Sequence, residues 1–412
     1  MRRSRRPVAV ALVLLTGVPT GCRSSEPRLP VDAAPVSAAY ERASCTVLGT
    51  PDDEVLRGTP SDDVICGLDG NDVLLGRGGD DTLIGGSGSD ALLGGSGVDD
   101  VRGGPGIDLL LGGRGADVLS GGTDEDRCPV GPGDRSVSCS DEPNTPVIAA
   151  AGDIACPTGD EPSEGSCQQL ATSDLLVRNV PWTVLTLGDN QYDDGELGEF
   201  RRSYAASWGR VKAITRPTPG NHDYHVTGAA GYHAYFGPLA GSPHEGYDSF
   251  DVGAWHLIAL NSNCEAVGCD EGSAQERWLR EDLAAHPGAC TLAYWHHPRF
   301  SSGDHGNDPS VDAFWRALFE AGADVVLNGH DHTYERFAPQ DPDQAADPNG
   351  IREFVAGTGG KSLYGFDDPV PNSQVRISTF GILELTLRAD GYDWRFVSLT
   401  GTVEDAGSGS CH

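Results

Sequence analysis

The chain has 412 residues, 38% of them apolar, with 61 acidic against 29 basic residues and a formal net charge of −32. That length suits two domains, one of them a full-size α/β core. So acidic a balance argues against nucleic acid as a partner, because such binding needs Lys and Arg to neutralise phosphates; it suits cation binding or simple solubility.

Residues 1–21 read as an export signal. Arg2, Arg3, Arg5 and Arg6 precede a short apolar run from Val8 to Leu15, whereas a spanning helix needs about 20 apolar residues. The run ends in Pro19-Thr20-Gly21-Cys22, which resembles a lipoprotein cleavage box with Cys22 as the lipidated residue. Pro19 stands where that box prefers Leu, so a lipid anchor through Cys22 and a free secreted form both stay open. Either places the chain outside the membrane. Residues 22–48 read as a linker.

From Gly49 the sequence repeats every nine residues, with glycine at 49, 58, 67, 76, 85, 94, 103, 112 and 121. The sixth position is acidic throughout: Glu54, Asp63, Asp72, Asp81, Asp90, Asp99, Asp108, Asp117 and Asp126. The eighth is apolar, from Leu56 and Ile65 through Leu119, until Cys128 ends the degenerate last copy. Glycine allows the tight turns, aspartate supplies hard oxygen ligands for Ca²⁺, and the apolar residue points into a narrow core shared by stacked turns. Residues 49–126 hold 17 acidic side chains against 4 Arg, a density that repels itself unless cations intervene. The pattern resembles the RTX (hemolysin-type) calcium-binding repeat, which implies a parallel β-roll over 49–128 with Asp63, Asp72, Asp81, Asp90, Asp99, Asp108 and Asp117 as calcium residues. RTX repeats usually sit late in a chain with a C-terminal export signal; here they sit early. The expected role is a calcium-stabilised stalk or surface-binding module.

Setting Cys22 aside leaves ten cysteines, an even number suited to an oxidising compartment. Cys156 with Cys167, Cys264 with Cys269, and Cys128 with Cys139 form plausible pairs. The partners of Cys45, Cys66, Cys290 and Cys411 stay open. No CxxC spacing occurs, which argues against zinc.

A polar, proline-containing stretch within 129–146 reads as a second linker. Beyond it, short apolar runs at 147–151, 183–187, 256–260, 291–295 and 324–327 read as buried strands, and 168–178, 195–207, 273–285 and 311–320 as helices. Residues 381–399 read as a closing hairpin. The second domain is thus expected to span 147–402, leaving 403–412 as a tail.

Several of these strands end in metal-ligating residue types. Gly152-Asp153 follows the first; Gly188-Asp189-Asn190-Gln191-Tyr192 follows the second. Then come Gly220-Asn221-His222-Asp223, Tyr294-Trp295-His296-His297-Pro298 and Gly329-His330-Asp331-His332. Loops at the carboxyl ends of strands are where α/β sheets build sites, and mixed oxygen and nitrogen donors suit two cations. In this order the five segments resemble the calcineurin-like metallophosphoesterases, and more closely their purple acid phosphatase branch, over about residues 146–400. The resemblance implies an αββα sandwich. It further implies that Asp153, Asp189, Tyr192 and His332 hold a first metal, with Asp189 bridging to a second held by Asn221, His296 and His330. Where many relatives have Asp-x-His, the third position here is Ala155, and Tyr192 takes the ligand role; a phenolate favours Fe³⁺, with Zn²⁺, Mn²⁺ or Fe²⁺ beside it. His297 is expected to follow the ligand His296 without ligating, the reverse assignment staying open. Asp331 and Arg336 are expected to orient His330 and His332.

The implied activity is hydrolysis of phosphate monoesters by a metal-activated hydroxide, with His222 facing the substrate to neutralise charge or to protonate the leaving alkoxide. A phosphodiesterase or nucleotidase with the same site is the alternative, and a calcium-dependent adhesion protein with an inactive enzyme domain is a third reading. Loops 225–245 and 299–312 are expected to line the pocket. Phe300, Tyr232 and Tyr235 could stack on a leaving group, although packing is the plainer role.

Overall fold

A computed structural model describes residues 45–124, 126–128, 134–139, 145–179, 181–241 and 246–412. The export signal, the lipidation position Cys22 and the linker up to residue 44 lie outside them. Each nonapeptide forms a short strand, and alternate repeats belong to opposite sheets. Strands β1 (Val47–Leu48), β3 (Val64–Asp69), β5 (Thr82–Ser87), β7 (Asp100–Pro105), β9 (Val118–Thr123) and β10 (Arg135–Val137) form one parallel sheet. Strands β2 (Val55–Arg57), β4 (Val73–Gly78), β6 (Ala91–Ser96) and β8 (Leu109–Arg114) form the other. Ile65 pairs with Leu83 and Leu83 with Val101, so two nonapeptides make one coil of the expected β-roll. The eighth-position residues Ile65, Leu74, Leu83, Leu92, Val101, Leu110 and Leu119 form its sealed core.

The second module is the expected αββα sandwich. One sheet runs in the order β13 (Thr215–Thr218), β12 (Thr183–Leu187), β11 (Val147–Ala151), β21 (Gly381–Arg388), β22 (Gly391–Ser398) and β23 (Val403–Ser410). The other runs β14 (Asp248–Val252), β15 (Trp255–Ala259), β16 (Cys290–Trp295), β17 (Val325–Asn328), β19 (Arg352–Ala356), β18 (Tyr334–Phe337) and β20 (Ser373–Ile377). Strand residues alternate faces, and here both faces are buried. Ile148 and Ala150 of β11 join the core between the sheets with Leu185, Leu292, Leu327 and Phe354. Ala149 and Ala151 face outward, toward α1 (Gln169–Asn179), α2 (Leu197–Arg202) and α3 (Ala230–Phe236). Beyond the short α4 (Cys264–Val267), α5 (Ala274–Ala285) and α6 (Asp312–Ala321) cover the second sheet. Helix α5 starts on a capping pair: the Ser273 hydroxyl accepts the Glu276 N–H, and the Glu276 carboxylate accepts the Gly272 N–H. Helix α6 stops at Gly322, which takes the left-handed conformation a side chain would resist.

Three expectations need correction. The roll is not a stalk: Val73, Ala91, Leu109 and Leu111, on the outward face of its second sheet, are buried in one cluster with Leu176, Val177, Trp208 and Val211 of the sandwich. Residues 403–412 are not a loose tail, because β23 pairs along β22 and Cys411 is disulfide-bonded to Cys290. The linkers are shorter than expected, since β1 and β10 belong to the roll and Cys45 is joined to Cys66. The pairs Cys128–Cys139, Cys156–Cys167 and Cys264–Cys269 are as expected. Among the described residues, no helix is long and apolar enough to cross a membrane.

Candidate metal centre

Strands β11, β12 and β13 run parallel, as do β15, β16, β17 and β19. Their carboxyl ends therefore open toward one place, and the loops that follow them bring the predicted donors together. Asp153, Asp189, Tyr192, His296 and His332 are all buried there. Asp153, Asp189 and His330 have positive φ (60°, 45° and 71°), a backbone cost that folds accept chiefly at functional positions. Glycine is demanded by space at two neighbours. A Cβ on Gly220 would stand 2.1 Å from Asp189 Oδ1, and one on Gly188 would stand 2.5 Å from His296 Nδ1.

Tyr192 Oη lies 2.8 Å from Asp153 Oδ1, 2.8 Å from Asp189 Oδ2 and 3.0 Å from His332 Nε2. One phenol proton cannot serve two carboxylates, so one of these approaches sets lone pair against lone pair. The second half of the site repeats the conflict. His296 Nδ1 donates to the Leu187 carbonyl at 2.8 Å, which leaves Nε2 facing Asn221 Oδ1 at 3.0 Å, His330 Nδ1 at 3.1 Å and Asp189 Oδ2 at 3.4 Å. Donors with inward lone pairs crowded at such distances fit cations, and a mixed carboxylate, amide, imidazole and phenol set fits transition ions.

The electrostatics reflect the same crowding. Burial, reinforced by Asp153 and Asp189, drives the Tyr192 phenol well above its ordinary range. Burial likewise holds His330 far below the usual imidazole range. At His296 burial opposes the charge, but Asp189 outweighs it and pushes the imidazole up to about 9. Asp189 itself stays below the carboxylate range despite complete burial, held there by His296 and His222. One of its oxygens meets both halves: Oδ2 faces Tyr192 and His296, while Oδ1 accepts the His222 N–H at 2.8 Å.

His222 stands at the rim. Its Nδ1 lies 2.6 Å from the Asp193 carbonyl, an acceptor, so Nδ1 carries a proton and Nε2 is left for a substrate. The ring sits 4.2 Å from that of Tyr192. Asp223 sews the GNHD turn to the Asp189 loop, its Oδ2 accepting Asn190 N, Asn190 Nδ2 and Gly220 N at 3.1, 2.9 and 3.0 Å. His297 is engaged with Ser262, whose Oγ lies 2.8 Å from Nδ1. Its ring is nevertheless 4.4 Å from that of His330. A cavity of about 590 Å³ opens beside Asn221, lined also by Tyr224, His225, Glu265, His297 and Asp308.

Some expectations do not hold. Arg336 does not orient the histidines; it pairs with Asp405 at 2.7 Å and lies over Trp394. Asp331 instead anchors the loop after β16, accepting from Ser301 Oγ and from the His305 N–H. Phe300, Tyr232 and Tyr235 do take the packing role expected of them, set against Trp315, Phe236 and Phe200. His305, stacked 4.1 Å from His330, belongs to the site and went unread because a lone histidine in a polar loop carries no spacing signal.

In the roll, Asp72, Asp81, Asp90, Asp99, Asp108 and Asp117 are buried in register. Each Oδ1 accepts the backbone N–H of the acidic residue one coil earlier, as in Asp72 N to Asp90 Oδ1 at 2.8 Å. Each Oδ2 is buried with no hydrogen-bond partner. Burial, with neighbouring acids adding to it, pushes Asp108 up to about 8 and Asp72, Asp90 and Asp99 to about 6. A divalent cation would relieve both costs. Asp63 differs, because Thr59 already donates to its Oδ2 through N and Oγ1 at 2.6 and 2.8 Å. Asp126 carries the same unpartnered Oδ2 as the central six and joins them.

An αββα sandwich with carboxylate, amide and histidine donors gathered at its strand ends is the arrangement expected of a metallophosphoesterase domain. Residues 147–334 match the family model for the calcineurin-like phosphoesterases, and four copies of the RTX calcium-binding nonapeptide repeat match between residues 48 and 128. Residues 147–334 therefore form a calcineurin-like phosphoesterase domain, preceded by RTX repeats. Purple acid phosphatase 15 of Arabidopsis thaliana is 28% identical over 235 residues, covering 47% of this chain and 43% of its own length. Purple acid phosphatase 21 of the same plant is 32% identical over 236 residues, covering 48% and 53%. A purple acid phosphatase from yellow lupin (Lupinus luteus) seeds shares the fold, with a TM-score of 0.57 at 18% identity over 65% of this chain and 54% of that one. The chain thus spans about half the length of these relatives.

Proposed function

We propose that the protein is an exported phosphatase that hydrolyses phosphate monoesters at a dinuclear metal centre. The observation that carries this reading is the pair of half-sites joined by Asp189: Asp153, Tyr192 and His332 on one side, Asn221, His296 and His330 on the other. The phenol oxygen of Tyr192 selects Fe³⁺ for the first position, and the nitrogen-rich second suits Zn²⁺, Mn²⁺ or Fe²⁺. When bound, the cation pair supplies Lewis-acid charge to the phosphoryl oxygens and lowers the pKa of the attacking water.

The chain's own residues do the rest. Leu187 fixes the His296 tautomer through its carbonyl, keeping Nε2 inward. Asp193 does the same for His222, so that in the imidazolium form Nε2 can pass its proton to the leaving alkoxide. The cavity beside Asn221 receives the organic part of the ester. In the roll, Asp72 through Asp126 hold Ca²⁺, which suits a compartment rich in that ion, as do the five disulfides. Purple acid phosphatases among the homologues support the same activity.

The test is release of p-nitrophenol from p-nitrophenyl phosphate and from bis-p-nitrophenyl phosphate, in saturating calcium. The reading expects the monoester to be cleaved at least tenfold faster and both reactions to stop on removing transition metals. A preference for the diester would instead establish a phosphodiesterase.

A further inference from the structure

The segment after β19, Gly357 to Tyr364, lies beyond the residues matched to the phosphoesterase family and belongs to none of the five motif segments. It nonetheless forms a strap across the first half-site. Gly359 N donates to the Gly152 carbonyl at 2.8 Å and Lys361 N to the Asp153 carbonyl at 2.9 Å, which sews the strap to the end of β11. Behind it, Cys167 N donates to the Lys361 carbonyl at 3.1 Å and Gln168 N to that of Gly360 at 2.8 Å, next to the Cys156–Cys167 disulfide. The strap then meets His332 three times. Ser362 Oγ lies 2.8 Å from Nδ1, the Tyr364 N–H donates to the His332 carbonyl at 3.1 Å, and the Tyr364 ring stacks on the imidazole at 3.9 Å with only 6° between planes.

We propose that Ser362 and Tyr364 are positioning residues that hold His332 in the tautomer and ring plane needed to ligate metal. For Nε2 to offer a lone pair toward Tyr192 and Asp153, the ring proton must sit on Nδ1, and a buried Nδ1–H needs an acceptor. Ser362 Oγ is that acceptor. Without it the proton moves to Nε2, where it blocks ligation. Tyr364 removes the remaining freedom, rotation of the ring about its bond to Cβ, by covering one face. Outer partners of this kind typically govern metal affinity by about 10–100-fold.

This inference rests on the metal-centre reading above, and its test separates the two. Full-length Ser362→Ala and Tyr364→Leu would be compared with wild type and with Ser362→Thr and Tyr364→Phe, all in saturating calcium. Transition metal per chain is measured after dialysis against graded chelator, and Tm is measured with and without the metal. The expected result is loss of one of two metals at about 10–100-fold lower chelator strength in the Ala and Leu variants, with retention in Thr and Phe. The Tm of the metal-free forms should match wild type, and only the metal-induced gain should shrink. Wild-type metal retention in Ser362→Ala and Tyr364→Leu would overturn the proposal. So would an equal fall in the metal-free Tm, which would make the two residues merely structural. A wild-type protein that binds no transition metal would overturn the metal-centre reading, and this proposal with it.

Discussion

The guanidinium of Arg127 lies over the indole of Trp182, 4.0 Å from the ring centroid, and also donates to the Pro181 carbonyl. Arg127 follows Asp126, whose Oδ1 accepts the Asp108 N–H at 3.0 Å in the last turns of the roll. Trp182 N in turn donates to the carbonyl of Val147, the first residue of the sandwich, at 2.6 Å. Roll and sandwich are therefore joined by polar contacts as well as by a shared core.

Removing calcium should destabilise the sandwich and not only the roll. A single site saturated at 100 times its Kd contributes about 2.7 kcal/mol, and several turns add to this. Calorimetry after EGTA treatment should show one transition displaced downward by more than roughly 5 °C, at about 2–4 °C per kcal/mol. Two separate transitions, with the upper one unmoved, would show that the modules fold independently.

Leu109 faces out of the roll yet is only 1% exposed, because the sandwich covers it. Leu109→Ala should cost about 2–4 kcal/mol in urea unfolding, the range for a buried leucine. On a free stalk the same residue would be solvent-facing and the loss would stay near about 0.5 kcal/mol.

The His222 ring bonds through Nδ1 to the Asp193 carbonyl and, among the described residues, through neither nitrogen to a candidate metal ligand. His222→Ala should lower kcat for p-nitrophenyl phosphate by about 10²-fold or more while metal content stays at the wild-type value. Parallel loss of metal would instead make it a ligand or a support for one.

His256 is buried between Asp282, 2.8 Å from Nε2, and Asp251, 2.9 Å from Nδ1, with His286 stacked on its ring at 3.8 Å. Burial opposes its charge, but the hydrogen bonds to Asp282 and Asp251 prevail and raise its pKa. A raised folded-state value means that the stabilisation is complete below about 6.5, the unfolded value, and is lost as pH rises through the folded one. Thermal unfolding should therefore show stability falling above pH ~6.5, and His256→Gln should flatten that slope. An unchanged slope in the variant would assign the pH dependence elsewhere.

The continuous apolar runs announced β11, β12, β15, β16 and β17, because strands buried on both faces have nothing polar to interrupt them. Strand β13 escaped because Thr215-Arg-Pro-Thr218 has no such run, and β23 because its eight residues are mostly small, polar or acidic. The candidate donors stood out because they cluster just past strand ends, most of them after a glycine, with His296 after Trp295 the exception. Ser362 and Tyr364 did not, because nothing in the sequence places a serine beside an imidazole thirty residues away. The docking of the roll did leave a trace. Seventh and ninth positions are apolar in alternate repeats, as Val73 and Leu75, Ala91 and Leu93, Leu109 and Leu111, whereas the opposite sheet mixes Val64, Ile84 and Val118 there with Thr82, Asp100, Arg102 and Ser120. Read at a period of two repeats, that asymmetry marks one face of the roll for burial.

In the proposed centre Asp189 joins two metal half-sites, one of them holding iron through Tyr192. It is tested most directly by reconstituting metal-free protein in saturating calcium and following phosphate release and the visible spectrum against added metal. Activity should need two equivalents per chain, and Fe³⁺ should produce a visible absorption band which Tyr192→Phe abolishes. Full activity at one equivalent, or a band that survives in Tyr192→Phe, would contradict it.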